Sequence, residues 1–261
     1  NKHILITGGV AFLGTNIALL AIKRGYSVTV FDNIVRVGSE NNIQRLRNVG
    51  VTIIRGDVTK KQDFNLLTGK YDFIIHLAAQ VGIRLSINDP VYDYEINVTG
   101  TVNVLEYARS HNKIPVIYAS TNKVFTEVND KPISEDETRY SFMDNMDSDG
   151  VNEEEEILHG KHTPYGLSKL VGAMYCLEYF HTYDLPVVVN HMSCLYGYYQ
   201  NGISDQGWVD YLMKCVLKDG KVTIYGDGKQ VRDLLWCEDV AELYLKEIEN
   251  IDDIAGEEFV V

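Results

Sequence analysis

The sequence predicts an α/β fold built on a doubly wound parallel sheet, and three observations carry that expectation. Short β-branched runs alternate with helix-length segments along the 261 residues, the rhythm of βαβ units. Runs such as Asp72-Phe-Ile-Ile-His76 are almost continuously apolar, as strands buried on both faces must be. A glycine-rich turn, TGGVAFLG (Thr7 to Gly14), follows the first apolar run directly and opens the first helical segment.

Taken in order, Lys2–Ile6, Ser27–Phe31, Val51–Arg55, Asp72–His76, Pro115–Ala119 and Pro186–Asn190 read as strands, each a short run rich in Ile and Val. Phe12–Arg24, Asn41–Arg47, Asn97–His111 and Tyr165–Tyr183 read as helices, several of them amphipathic. Function is then expected at the carboxyl ends of the strands. Two segments break the rhythm. Thr126 to His162 is polar and acidic and includes Glu153-Glu154-Glu155-Glu156, which reads as a surface excursion with a solvated charge run. Tyr196 to Asp233 is rich in Gly, Tyr and polar residues and reads as a substrate-covering lobe. Residues 1–190 are thus expected to form a nucleotide-binding domain. Residues 191–261 are expected to supply substrate-binding segments and a returning strand, with a further C-terminal portion beyond Val261.

The net charge of −13 argues against nucleic acid or an anionic membrane as partner, since both need clustered Lys and Arg. An anionic substrate would need a few local positive groups. No apolar stretch reaches the ~18 residues of a membrane span, and no secretory signal is visible. Cys176, Cys194, Cys215 and Cys237 are scattered without a CxxC pair, which fits reduced thiols in a cytoplasmic protein. Asn97-Val98-Thr99 then matches a glycosylation sequon by chance. His159 and His162 have no converging ligands, so no metal site is expected.

Three stretches carry chemistry. Gly8, Ala11 and Gly14 occupy a G-x-x-G-x-x-G frame between strand and helix, with alanine in the middle place. Such a frame permits a tight turn, close approach of a pyrophosphate and close helix–strand packing, with the helix N-terminus facing the phosphates. Asp32 ends the next strand, where a carboxylate can accept from ribose hydroxyls and repels a 2′-phosphate, favouring NAD over NADP. Tyr165 and Lys169 in YGLSK fall on one helix face, and an ammonium there favours tyrosinate. Ala119-Ser120-Thr121-Asn122-Lys123, at the end of the fifth strand, can offer a hydroxyl to the reacting oxygen beside the Tyr.

With TGG..FLG, FDN, GDV, HLAAQV, NDP, INV.GT.N.LE, STNKV, PYG.SK, SDQGWV and GDGKQVRD in this order, the whole chain resembles the extended short-chain dehydrogenase/reductase family, the NAD-dependent epimerases and dehydratases of nucleotide-sugars. Within it the chain is most similar to the branch of CDP-sugar 2-epimerases. The resemblance implies Thr121, Tyr165 and Lys169 as the catalytic trio. It implies a phosphate turn formed by Gly8, Ala11, Phe12, Leu13 and Gly14, with Asp32, Asn33, Asp57 and Val58 at the adenosine end. Leu77, Ala78, Ala79 and Gln80 would pass near the cofactor's centre, Asn97 would order the site, and Tyr165 and Lys169 would touch the cofactor as well. Lys123, Gln206 and Arg232 would bind substrate, Arg232 through its diphosphate.

The implied chemistry is transient oxidation of a sugar carbon by bound NAD while Tyr165 removes the hydroxyl proton, followed by return to the other face. A homodimer through the Tyr165 helix and Asn97–His111 is also implied. The 4,6-dehydratases of the family carry Asp-Glu after the catalytic Thr, where this chain has Asn122-Lys123. Ala11, Phe125-Thr126, His191 and Tyr198-Tyr199 depart from the family pattern. Two alternatives stay open on these residues: a UDP-sugar 4-epimerase, and a non-catalytic nucleotide-binding member of the fold.

Overall fold

The computed structural model describes residues 1–126, 132–143 and 150–261. The chain runs β1 (His3–Thr7), α1 (Phe12–Lys23), β2 (Ser27–Asp32), α2 (Glu40–Asn48), β3 (Thr52–Arg55), β4 (Phe73–His76), α3 (Ile83–Asn88), α4 (Pro90–Tyr94), α5 (Gly100–Ser110) and β5 (Val116–Thr121). It continues through β6 (Ile133–Glu135), β7 (Tyr140–Phe142), α6 (Pro164–Tyr183), β8 (Val187–Met192), β9 (Cys194–Tyr196), α7 (Trp208–Asp219), β10 (Leu234–Trp236), α8 (Cys237–Glu249), α9 (Ile251–Ile254) and β11 (Glu258–Val260).

Seven of these strands form one sheet in the order β3-β2-β1-β4-β5-β8-β11, each neighbour parallel to the next. Alternation along each strand sends side chains to two separate cores. Ile4, Ile6, Val30, Ile75 and Val188 pack with Ile17 of α1 and Tyr244 and Leu245 of α8. Leu5, Phe31, Ile74, Tyr118 and Val187 pack with Leu105 of α5 and Ala173 and Cys176 of α6. Both faces are therefore covered, which is why the strands read as continuous apolar runs. Strand order reverses between β1 and β4, opening a crevice at their carboxyl ends.

Each expected strand is present, with β5 and β8 running two residues further than expected, to Thr121 and Met192. Glu258–Val260 is the returning strand and pairs with β8. One helix needs correction. Asn97 lies in a π-helical turn, Glu95–Thr99, and regular α-helix begins only at Gly100. The six-residue α3 and five-residue α4 are too short to show a helical period. Asp89 caps α4, accepting from Tyr92 N at 3.0 Å, with Pro90 in the first turn, so the NDP motif is a helix start.

Within the acidic excursion, β6 and β7 form an antiparallel hairpin, while residues 127–131 and 144–149 lie outside the described ones. The Glu run is not simply solvated: Glu153 accepts from Val260 N at 2.7 Å, and Glu156 from Leu158 N at 2.6 Å. Among the described residues, no helix is long and apolar enough to cross a membrane. The sequon residue Asn97 is 1% exposed, out of reach of glycosylation.

Candidate active site

The crevice begins at the glycine turn. Gly8 has φ +69°, and a Cβ there would lie 2.7 Å from Ala78 N at the end of β4. A Cβ on Gly9 would lie 2.6 Å from Val30 Cγ2, and one on Gly14 would lie 2.4 Å from Gly9 Cα. Glycine is thus required at 8, 9 and 14. Ala11 is the N-cap of α1 at φ −75°, ψ 179°, a conformation alanine adopts without strain. No side chain caps α1 and its first turn holds no acidic residue, so the N–H groups there face the crevice unopposed. That cradle fits a pyrophosphate.

Asp32 ends β2 beside the glycine turn. Its carboxylate accepts from Val10 N at 3.1 Å and Ile34 N at 2.7 Å, tying the glycine turn to β2. Burial raises its pKa, and the two backbone donors oppose the rise. Ile34 is held at φ +59°, a strained conformation for a β-branched residue. Asn33 accepts from Val35 N at 3.4 Å. Asp57 accepts from Thr59 N and Oγ1 at 2.9 and 2.8 Å, and Val58 is buried against Gly100. Leu77 N donates to Thr7 O and Ala78 N to Thr7 Oγ1, so the Leu77–Gln80 segment lies along the turn.

Thr121, Tyr165 and Lys169 converge beside this crevice, all three buried. Thr163 caps α6 by accepting from Gly166 N at 3.1 Å, and Pro164 occupies the first turn. Gly166 then lets the helix approach the turn after β5: a Cβ on it would lie 2.3 Å from Lys123 O. Burial pushes the Tyr165 phenol up to about 12, while a hydrogen bond with Thr121 pulls it down. Burial brings the Lys169 ammonium down to about 7. Its Nζ stands 4.1 Å from the centroid of the Tyr118 ring, a cation–π contact. Gly172, one turn on, makes room for Tyr118 Oη, which a Cβ would meet at 2.3 Å.

Behind the trio, Gln80 N donates to Asn97 Oδ1 at 2.9 Å, and Asn97 Nδ2 lies 3.0 Å from Gln80 O and 3.0 Å from Ser168 Oγ. The π-helical turn aims Asn97 at β4 and α6 together, the kind of local insertion that recurs at functional sites. His76 bridges Thr7 Oγ1 at 2.6 Å and Thr101 Oγ1 at 3.0 Å. Burial and then Lys169 push His76 down to about 3, so it is neutral.

The expected substrate residues are less gathered. Lys123 is exposed at the mouth, next to Thr121. Gln206 belongs to a tight turn, Ile203 to Gln206, and its carboxamide oxygen accepts from Arg36 of the β2–α2 loop. Asp205 in the same turn lies 3.7 Å from Arg84 of α3. The turn therefore bridges the β2–α2 loop and α3. Arg232 is exposed, its guanidinium folded back on Val231 O and Gln230 Oε1, both at 2.7 Å. His191 is buried and pairs with Glu258 at 3.0 Å. Gly166 and Ser168 sit inside YGLSK, where helical spacing points to Tyr165 and Lys169 alone, and Tyr118 and Asp93 carry no sequence signal beyond their neighbours.

A sheet that reverses its order beside a glycine cradle defines a Rossmann-type dinucleotide-binding protein. The NAD dependent epimerase/dehydratase family model matches residues 4–261, and the chain belongs to that family, whose cofactor is NAD. It is 40% identical to the CDP-paratose 2-epimerase of Salmonella typhi, over 98% of this chain and 77% of that one. It is 27% identical to the UDP-glucose 4-epimerase of Mycolicibacterium smegmatis, over 93% and 72%. Among solved structures, the UDP-glucose 4-epimerase of Thermus thermophilus in complex with NAD superposes with a TM-score of 0.78 at 27% identity, covering 100% of this chain and 77% of the other.

Proposed function

We propose that the protein is a cytoplasmic NAD-dependent isomerase that inverts C2 of a CDP-activated sugar, interconverting CDP-paratose and CDP-tyvelose. The observation that carries the chemistry is the hydrogen bonding of Tyr165 with Thr121 at the carboxyl end of β5, with Lys169 buried one helical turn further along α6. The substrate class rests on the 40% identity to the Salmonella CDP-paratose 2-epimerase along nearly the whole chain.

In this reading, Tyr165 takes the proton from the sugar hydroxyl and returns it after the sugar has turned its other face. Lys169 lowers the phenol's proton affinity, and Thr121 holds the reacting oxygen through its hydroxyl. NAD, when bound, supplies a two-electron acceptor for the carbinol carbon and gives the pair back. Gly8, Ala11, Phe12, Leu13 and Gly14 hold its pyrophosphate, and Asp32, Asn33, Asp57 and Val58 its adenosine. Leu77 to Gln80 and Asn97 line its centre. Lys123, Gln206 and Arg232 contact the nucleotide-sugar, which requires Arg232 to swing from its present bonds. Exposed Leu167, Met174 and Tyr175 on α6 favour a homodimer through that helix.

Purified protein incubated with CDP-paratose or with UDP-glucose, with products followed by NMR, tests the reading. Formation of CDP-tyvelose is expected. Turnover of UDP-glucose alone would replace it with the second reading, a UDP-sugar 4-epimerase, which the M. smegmatis relative favours.

A further inference from the structure

Asp93, the fourth residue of α4, is 1% exposed and lies directly behind the trio. Its Oδ1 accepts from Gln80 Nε2 at 2.7 Å and lies 3.2 Å from Asn97 Nδ2. Oδ2 is buried with no hydrogen-bond partner. A half-satisfied buried carboxylate is costly unless a cation compensates it. Burial raises the Asp93 pKa, and hydrogen bonding with Ser168 and Gln80 and then the charge of the Lys169 ammonium, one residue beyond Ser168 on α6, hold it down.

We propose that Asp93 is a positioning residue for the Tyr165–Lys169 pair: its carboxylate locks Gln80 and Asn97 onto the end of β4 and presents a fixed negative charge to the Lys169 ammonium. The groups that face this assembly are Tyr165, Lys169 and Cys176 of α6, His76 of β4 and Tyr118 of β5. Among them only Lys169 is cationic, because His76 is held neutral. The Asp93 charge favours the ammonium and opposes tyrosinate, so it raises both the Lys169 and the Tyr165 pKa. It thereby sets where on the pH scale the pair works, without touching substrate.

The inference rests on the epimerase reading for its kinetic test, and a second readout frees it from that reading. Asp93→Asn keeps the shape and an oxygen acceptor for Gln80 while removing the charge. Both limbs of the kcat–pH profile are expected to move to lower pH by about one unit, the size of a single nearby charge. The tyrosinate absorbance of Tyr165, isolated by subtracting the titration of Tyr165→Phe, is expected to shift the same way whether or not any sugar is turned over. Asp93→Ser, a second charge-removing variant, is expected to shift both readouts the same way and serves alone if Asp93→Asn does not fold, while Asp93→Glu, which keeps the charge, is expected to leave both near the wild type. A fall in kcat with limbs and titration unmoved from the wild type would overturn the proposal and leave Asp93 a packing residue.

Discussion

Gly166 of α6 faces the carbonyl of Lys123 so closely that a Cβ on it would sit 2.3 Å from that oxygen. This contact draws the helix carrying Tyr165 and Lys169 against the turn that follows Thr121. Gly166→Ala must therefore push α6 away from the end of β5. The expected result is a fall in kcat of about 10²-fold, the scale of an ångström's misplacement, with NAD still bound. Steady-state kinetics together with the NAD content of the purified variant would check it, and unchanged kcat would show that the contact relaxes harmlessly.

Ala11 poses a question of contact with the cofactor, since its backbone needs no glycine. Ala11→Gly is expected to bind NAD more tightly by a few-fold, through loss of one methyl near the pyrophosphate. Stability should change little, because glycine caps a helix better than alanine but costs about 0.4–1 kcal/mol in chain entropy. Calorimetric titration of both proteins with NAD decides the matter, and equal or weaker binding by the variant would clear the methyl.

Gly14→Ala is a sharper change, since the added carbon would lie 2.4 Å from Gly9 Cα, a backbone atom that cannot step aside alone. Expected are a loss of NAD retention during purification and a drop in thermal midpoint. Mass spectrometry of the denatured protein would detect the former and calorimetry the latter.

Glu247 on α8 is buried beside Asn190 of β8, which donates Nδ2 to its Oε2 at 2.9 Å. Burial nonetheless raises its carboxyl from 4.5 to about 7. The folded protein thus holds a proton that the unfolded chain releases above pH ~4.5, so this group's stabilising contribution is full below that point and lost as pH rises through about 7. The loss amounts to about 3 kcal/mol at most. In urea melts at acid and alkaline pH, Glu247→Gln is expected to show a smaller decline than the wild type. Equal declines would locate the pH dependence elsewhere.

Arg36 and Gln206 join the β2–α2 loop to the turn that reaches α3, and Asn201 Nδ2 donates to Gly38 O at 3.3 Å alongside. Arg36→Met is expected to speed NAD dissociation about tenfold, measured by exchange against labelled NAD. An unaltered rate would mean that the turn does not hinder exit.

The order of strands and helices was legible because each element obeys a local period. Residues buried on both sides of a sheet must be apolar throughout, and a glycine turn between strand and helix leaves few other topologies. Tyr165 and Lys169 were readable for the same reason, being one helical turn apart. Asn97 was misplaced by one kind of helix, since nothing in a short run distinguishes a π turn from an α turn. The use of Glu153 to bind Val260 N was equally hidden, because a charge run is solvated unless a distant backbone group meets it.

By itself, then, the sequence determined the doubly wound sheet, the nucleotide turn and the placing of Tyr165 and Lys169 one turn apart on a single helix. Periodicity and residue chemistry are properties of neighbours along the chain. Only the tertiary structure decided that glycine is needed at 8, 9 and 14 but not at 11, and that Gly166 sets the approach of α6. It alone brought Asp93 behind Lys169 and Gln206 to Arg36, residues far apart in sequence. Those facts depend on how closely separate elements pack, and close approach becomes visible only once the chain has folded.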